Sequence, residues 1–145
     1  MAIFQRKAGV IWNGTLQTGN GTISTESQAL YEEPYSYATR FGDETGANPE
    51  ELIAAAHAAC FSMALANTLK QKGYEPLKVD TNATCILQSK NGGFEISQMK
   101  IHVRGQVSNI DLPTFKQIVQ EADRGCPVSN LLRDGLDIEI DAELM

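Results

Sequence analysis

Two stretches of the chain place short apolar runs on either side of turn-forming residues. Residues 10–12, Val-Ile-Trp, and residues 21–24, Gly-Thr-Ile-Ser, are separated by the Thr-Gly-Asn-Gly turn at 18–21. Residues 77–107 alternate apolar and polar positions on both sides of Asn-Gly-Gly at 91–93. Each pattern predicts an antiparallel β-hairpin. One face of the second hairpin is formed by Val79, Thr81, Ala83, Cys85 and Leu87.

Between the hairpins, aromatic and β-branched residues recur at every second position. Residues 31–40 contain Glu33-Pro34-Tyr35, and Tyr37, Thr39 and Phe41 continue the spacing. The spacing predicts a short strand at the edge of a sheet, because proline cannot donate a ladder hydrogen bond. A loop over residues 42–46 then leads to a helix.

The longest apolar segment, residues 52–66, follows a strong helix-start signal. Asn48 suits the capping position, Pro49 suits the first helical position, and Glu51 lies three residues after the cap. We expect this helix to run to about residue 72 and to end at Gly73.

The last third of the chain predicts two more helices and a strand. Asp111 or Asn109 caps an amphipathic helix that ends near Gly125, and Pro127 begins a short helix after it. Residues 136–140 alternate apolar and acidic side chains and predict a final, half-exposed strand.

Length and charge narrow the class of protein. A chain of 145 residues suits one domain over residues 1–145. Its 18 acidic residues exceed its 12 basic ones, which argues against nucleic acid and anionic membranes as partners. The apolar segment contains His57 and Ser62 and is shorter than the roughly 20 residues of a membrane span, so we expect a core helix.

The number and spacing of the cysteines and histidines limit which metal sites the chain can form. The chain has three cysteines and two histidines, with no Cys-x-x-Cys pair and no zinc-ligand spacing. No metal is therefore expected. The N-terminus carries no apolar signal segment, and a reducing, cytoplasmic location fits best.

Two cysteines stand out by their surroundings. Cys60 lies inside the alanine-rich helix, and Cys126 stands at a helix break between Gly125 and Pro127. The oriented N–H groups of a helix start favour a thiolate at Cys126. Two such thiols can form a disulfide during turnover, although both also suit plain packing roles. Cys85 has the alternation of an ordinary strand residue and is assigned no chemistry.

A thiolate in an apolar helix needs a fixed cation to offset its desolvation. Arg40 is a candidate, because a guanidinium keeps its charge and can bridge a thiolate and a carboxylate; a surface arginine is the alternative. Glu50 lies roughly 15 Å from Cys60 along a straight helix, so one helix cannot join them. Two antiparallel copies of the helix that cross near Ala55 would bring Glu50 of one copy close to Cys60 of the other. This gives the hypothesis of a homodimer with composite active sites. Glu51 is better placed for capping.

Two other functions remain open on this pattern. His57 precedes Cys60 by three positions and is therefore its neighbour on the helix surface, which raises a cysteine-histidine hydrolase as an alternative, but no orienting acid or oxyanion hole is evident. The second alternative is a non-enzymatic dimer that binds a small hydrophobic ligand on its apolar helix face.

The motifs at 19–27, 39–41, 48–53, 55–61 and 125–129 together resemble the OsmC/Ohr family of osmotically inducible and organic hydroperoxide resistance proteins. The histidine before the first cysteine and the arginine of Thr-Arg-Phe resemble its OsmC branch. The resemblance implies an α+β fold, an intertwined homodimer whose antiparallel sheets wrap around two central helices.

The same resemblance implies an activity and a set of roles. It implies a thiol-dependent peroxidase for organic hydroperoxides, with Cys60 as the peroxidatic residue and Cys126 as the resolving residue. Arg40 is the implied activator of the thiolate, and Glu50 is the partner of that arginine. An external dithiol is the implied reductant, and no metal or flavin cofactor is required.

Overall fold

A computed structural model describes residues 1–135 of the chain. They form a mixed α+β structure with antiparallel sheets, in two compact units. The first unit is Met1–Leu52, and the second begins at Ile53. The strand predicted at 136–140 lies outside the described residues.

The first unit contains a three-stranded antiparallel sheet in the order β1-β2-β3. Its strands are β1 (Ala8–Asn13), β2 (Asn20–Thr25) and β3 (Glu33–Ser36), which confirms the first hairpin and the edge position of the proline-containing strand. Gly21 lies opposite both Trp12 and Tyr35. A Cβ at Gly21 would come within 2.6 Å of the Tyr35 ring and 2.7 Å of the Trp12 ring, so the two aromatic side chains can pack there only over glycine.

The strand predicted within residues 31–40 is confirmed at Glu33–Ser36 but does not continue beyond it, because Tyr37–Phe41 is a short helix, α1. Ser36 caps it with a reciprocal pair of hydrogen bonds. The Ser36 hydroxyl accepts from the Thr39 N–H at 3.3 Å, and the Thr39 hydroxyl accepts from the Ser36 N–H at 2.9 Å. These local bonds outweigh the alternating pattern, which had indicated a strand.

Helix α2 (Pro49–Gln71) has the start and end that its sequence predicts. The side chain of Asn48 accepts a hydrogen bond from the Glu51 N–H at 2.8 Å. Gly73 follows the helix with a φ of +88°, a left-handed conformation that favours glycine.

The second unit contains a long hairpin followed by two helices. Strands β4 (Pro76–Lys90) and β5 (Gly93–Val107) pair antiparallel through a two-residue turn, in which both Asn91 and Gly92 have positive φ. This turn suits the twist of a hairpin. Asp111 caps helix α3 (Leu112–Gly125), and helix α4 is Pro127–Asp134. The predicted hairpin and both helices are confirmed.

The core of the second unit lies between α2, α3 and the start of α4. On α2, every fourth residue from His57 to Leu69 is buried, and Ile118 and Ala122 of α3 pack against this stripe together with Cys126. Burying each large apolar side chain stabilises the fold by about 1.5–3 kcal/mol. By length and composition alone, helix α2 could also cross a membrane. The core helices of soluble proteins meet the same criteria, so this property does not indicate a membrane span.

Candidate functional site

Cys60 and Cys126 meet in the second unit. Cys126 is fully buried at the junction where α3 ends and α4 begins. Cys60, half-buried on α2, packs against the same core cluster, and the two thiols are in polar contact. Cys60 and Cys126 are both free thiols. The junction therefore holds two reduced sulfurs side by side.

The pair has unequal surroundings. Burial raises the pKa of Cys60, the Val128 N–H partly opposes this, and the neighbouring Cys126 raises it further. Burial also raises the pKa of Cys126, but polar contacts with the Ser129 hydroxyl and N–H, the Cys60 thiol and the Val128 N–H outweigh it, so that pKa is lowered. The two thiols titrate as a pair, and these contacts favour the first negative charge on Cys126.

The contacts around Cys126 follow from its place in the chain. It is the N-cap of α4, with an extended φ of −82° and ψ of 115°, and its side chain makes no standard capping hydrogen bond. Ser129 is the third residue of that helix, so its hydroxyl returns toward the capping residue. The sulfur thus lies where the free N–H groups and the positive end of a helix favour a thiolate.

His57 contacts Ser129 behind the cysteine pair. Its Nε2 lies 2.7 Å from the Ser129 Oγ, and the two residues are 5% and 4% exposed. Its Nδ1 is buried and has no hydrogen-bond partner among residues 1–135. Burial lowers the pKa of His57, with Asp123 raising it and Arg133 lowering it. Because Ser129 occupies Nε2, this geometry does not favour a cysteine-histidine hydrolase.

Arg40 and Glu50 meet in the first unit. The Arg40 Nε donates to both Glu50 carboxylate oxygens at 3.2 Å, and a terminal guanidinium nitrogen donates to one of them at 2.7 Å. Glu50 is 8% exposed, whereas one third of the Arg40 side chain is exposed. Arg40 therefore keeps an open face while its other edge is held by a buried carboxylate. Glu51 is exposed at the helix start.

Two bonds hold α1, which carries Arg40, beside the start of α2. The Thr39 hydroxyl donates to the Ala47 carbonyl at 2.9 Å, and the Asn48 side-chain amide donates to the Thr39 carbonyl at 3.3 Å. Asn48 therefore both caps α2 and fixes the preceding helix. This is the local reason why Arg40 reaches Glu50.

An aromatic pocket of about 280 Å³ adjoins Arg40 in the same unit. The Trp12 and Tyr35 rings lie 5.2 Å apart, and the Tyr37 and Phe41 rings lie 4.9 Å apart. Arg40 also stacks over Phe41 at 5.0 Å. The pocket is lined by Trp12, Leu16, Tyr35, Ser36, Tyr37, Arg40 and Phe41.

The sequence did not predict the pocket or the contact between Ser129 and His57. The density of aromatic residues around residues 31–41 was a signal for the first, and the serine three positions after Cys126 was a signal for the second. Arg40 and Glu50 belong to one unit, and Cys60 and Cys126 to the other. In the part of the chain that the structure describes, no group of three His, Cys, Asp or Glu side chains is placed to hold a metal ion.

Known proteins resemble this chain over most of its length. The family profile described as OsmC-like protein matches residues 42–141. Peroxiredoxin OsmC of Escherichia coli strain K12 is 45% identical over 139 residues, or 96% of each chain. Organic hydroperoxide resistance protein OhrB of Bacillus subtilis strain 168 is 28% identical over 99 residues, covering 68% of this chain and 71% of that protein. The higher identity to the OsmC protein confirms the branch that the motifs indicate.

The fold is shared as well. The crystal structure of Bacillus subtilis OhrB matches with a TM-score of 0.67 at 25% identity, covering 94% of this chain and 96% of that one. This match confirms the expected α+β fold with antiparallel sheets and helices.

Proposed function

This chain belongs to the family of OsmC-like proteins, and on that premise we propose that it is a cysteine-based peroxidase that reduces organic hydroperoxides. One observation supports the proposal most strongly: two free thiols, Cys60 and Cys126, lie in contact at a helix junction. A peroxidatic and a resolving cysteine need such proximity to form a disulfide without large movement.

The proposed reaction proceeds in three steps. The Cys60 thiolate attacks the terminal peroxide oxygen, so that an S–O bond forms, the O–O bond breaks and an alkoxide leaves, which takes a proton from solvent to become the alcohol. The Cys126 thiolate then attacks the sulfur of the Cys60 sulfenic acid, so that the S–S bond forms, the S–O bond breaks and the released hydroxide takes a proton from solvent to become water. An external dithiol finally reduces the disulfide and is itself oxidised.

Arg40 is the proposed activator of the Cys60 thiolate. Burial raises the pKa of Cys60, so attack at neutral pH needs a nearby positive charge. Arg40 offers an open guanidinium face, and the buried Glu50 orients it through three hydrogen bonds. A lysine would not keep the fork-shaped contact with both Glu50 oxygens.

The aromatic pocket beside Arg40 supports an organic rather than an inorganic peroxide. A volume of about 280 Å³ accommodates an alkyl or aryl group, and aromatic walls favour apolar matter over water. We therefore assign the pocket to the organic part of the hydroperoxide, and we expect hydrogen peroxide to be a weaker substrate.

A homodimer is part of the proposal. Ala55, Ala59 and Met63 lie at spacings of four on α2 and are exposed, Met63 by 76%. A helix that is apolar around its circumference is normally covered, and small side chains allow a second helix to approach closely. In an antiparallel crossing of two copies of α2, Glu50 of the partner subunit approaches Cys60. We also propose a cytoplasmic location, because a reducing compartment keeps both thiols available for turnover.

Cysteine variants test the proposal directly. Turnover of cumene hydroperoxide and of hydrogen peroxide is measured with a lipoyl-type and with a thioredoxin-type dithiol. Cys60→Ser is expected to abolish turnover, Cys126→Ser to permit one sulfenic acid per subunit, and Cys85→Ser to leave turnover unchanged. Undiminished turnover without Cys60, or no peroxide consumption by the unaltered protein, would overturn the proposal and favour a non-enzymatic binding protein.

A further inference from the structure

His57 is a buried, titratable group that the proposed reaction does not use. It continues the buried stripe of α2, where an aliphatic residue would pack as well, and its Nε2 lies 2.7 Å from the Ser129 Oγ. Burying an imidazole costs free energy unless its polar atoms find partners. The partner here is a hydroxyl in the first turn of α4, the helix that Cys126 caps.

Ser129 connects the imidazole to the cysteine pair. Its hydroxyl contacts the imidazole of His57 on one side and the sulfur of Cys126 on the other. The capping residue and the third residue of a helix are close by geometry, so this contact follows from the helix itself. A serine hydroxyl has one proton, so it can donate to only one of its two neighbours.

The unpartnered Nδ1 of His57 indicates which group donates in each hydrogen bond between His57, Ser129 and Cys126. Nδ1 is buried without a partner among the described residues. An orphaned N–H in a protein interior is rarer than an under-satisfied acceptor, so the proton of a neutral imidazole belongs on Nε2. Nε2–H then donates to the Ser129 oxygen, and the Ser129 O–H is left to donate to the sulfur.

We propose that His57 is a positioning residue for the resolving cysteine: as a neutral imidazole with its proton on Nε2, it holds the Ser129 O–H toward Cys126 and thereby favours the Cys126 thiolate. The catalytic consequence rests on the proposed peroxidase function, because the thiolate matters when it attacks the Cys60 sulfenic acid. In that step the S–S bond forms, the S–O bond breaks and hydroxide leaves, which takes a proton from solvent, while His57 and Ser129 only donate hydrogen bonds.

The charges around His57 agree with a neutral ring. Its charged neighbours are Asp123 of α3 and Arg133 of α4, which form an ion pair at 2.6 Å and act on the imidazole in opposite directions. The neutral Ser97 and Gln98 of β5 line a cavity together with His57, Asp123 and Arg133. Burial therefore dominates, and it lowers the pKa of His57.

Histidine NMR tests the protonation state without any peroxide. The chain has only His57 and His102, and the exposed His102 serves as an internal reference, assigned with His102→Gln. In ¹⁵N-histidine spectra at pH 7 we expect His57 to be neutral with its proton on Nε2. A proton on Nδ1, or a charged ring at this pH, would overturn the proposal.

Thiolate titration tests the effect on Cys126. In a Cys60→Ser/Cys85→Ser background Cys126 is the only remaining thiol, and its thiolate absorbance is followed against pH with a Cys126→Ser triple variant as the blank. At a pH below the titration midpoint, adding Ser129→Ala or His57→Leu is expected to lower the thiolate fraction of Cys126 about tenfold, which corresponds to a rise of about one pKa unit. His57→Gln, whose amide can still donate, is expected to restore part of it.

An unchanged midpoint in Ser129→Ala would overturn the proposal, and that variant remains decisive where His57→Leu fails to fold. None of these readings involves peroxide. If the protein proved not to be a peroxidase, the NMR and titration results would still stand. Failure of the proposed function can therefore be distinguished from failure of the proposed role of His57.

Discussion

One edge of the Arg40 guanidinium donates three hydrogen bonds to the Glu50 carboxylate, from Nε to both oxygens at 3.2 Å and from a terminal nitrogen to one oxygen at 2.7 Å. Glu50 is almost fully buried, and Arg40 forms an ion pair with it. The contact fixes the direction in which the free face of the guanidinium points.

Glu50→Gln tests the importance of that direction. The amide keeps the shape of the carboxylate but loses its charge, and a charge-assisted hydrogen bond contributes about 1.5–3 kcal/mol. We expect kcat/KM for cumene hydroperoxide to fall about ten- to a hundredfold. The matched control is Glu51→Gln, an exposed neighbour at the same helix start, for which kcat/KM should not change. Equal losses in both variants would refute a special role for Glu50.

Arg40→Ala tests the cation proposed for Cys60. Burial already raises the pKa of Cys60, and removing the guanidinium is expected to raise it further and to slow its alkylation at neutral pH. Peptide-level mass spectrometry after timed iodoacetamide treatment measures the rate at Cys60. Arg104→Ala, in which a strongly exposed arginine on β5 is lost, is the control. An unaltered pH profile would remove Arg40 from the site.

Leu16→Asp tests the aromatic pocket as the site of the organic group. Leu16 lines the pocket and is 59% exposed, so a charge there should repel an apolar substrate without disturbing a core. KM for cumene hydroperoxide is expected to rise, while the rate with hydrogen peroxide stays constant. Gln17→Asp adds the same charge to the adjacent, exposed position. A rise in KM that is equal in both variants would argue against the pocket.

Asn48→Ala tests the cap that joins α1 to α2. Losing an asparagine cap costs about 1 kcal/mol of stability, and the bond from Asn48 to the Thr39 carbonyl is lost as well. Urea unfolding should show a lower midpoint with an unchanged slope. Asn67→Ala, an exposed change on the same helix, should be neutral or slightly stabilising. An unchanged midpoint in Asn48→Ala would contradict the capping role.

His57 predicts how stability depends on pH. Burial lowers its pKa in the folded protein below the ordinary value of 6.5, so the unfolded chain binds a proton first as the pH falls. The contribution is fully present above pH 6.5 and is lost as the pH falls toward the folded pKa. His57→Gln should therefore make the urea midpoint less dependent on pH below 6.5 than it is in the unaltered protein. Equal pH dependence in the two proteins would count against a neutral, buried His57.

Most of the secondary structure could be predicted because its signals are local. Asn48, Pro49 and Gly73 mark the ends of α2 through their own backbone and side-chain chemistry, and Asn91 with Gly92 favours the turn of the long hairpin. The same locality explains the error over residues 37–41. There the alternation of Tyr37, Thr39 and Phe41 indicated a strand, while the Ser36 cap, which is equally local, favoured a helix and prevailed.

Residue types alone indicated the chemistry of the candidate site but not its contacts. A thiol in an apolar helix and another at a helix start were recognisable as chemically distinctive in the sequence, and so was the need for a cation. The contact of Cys60 with Cys126, and of His57 with Ser129, joins residues far apart in the chain. Such contacts depend on how α3 and α4 pack against α2, and side-chain packing over long sequence separations leaves no periodic signal. For that reason the sequence determined which residues are chemically distinctive, and only the tertiary structure decided which of them touch.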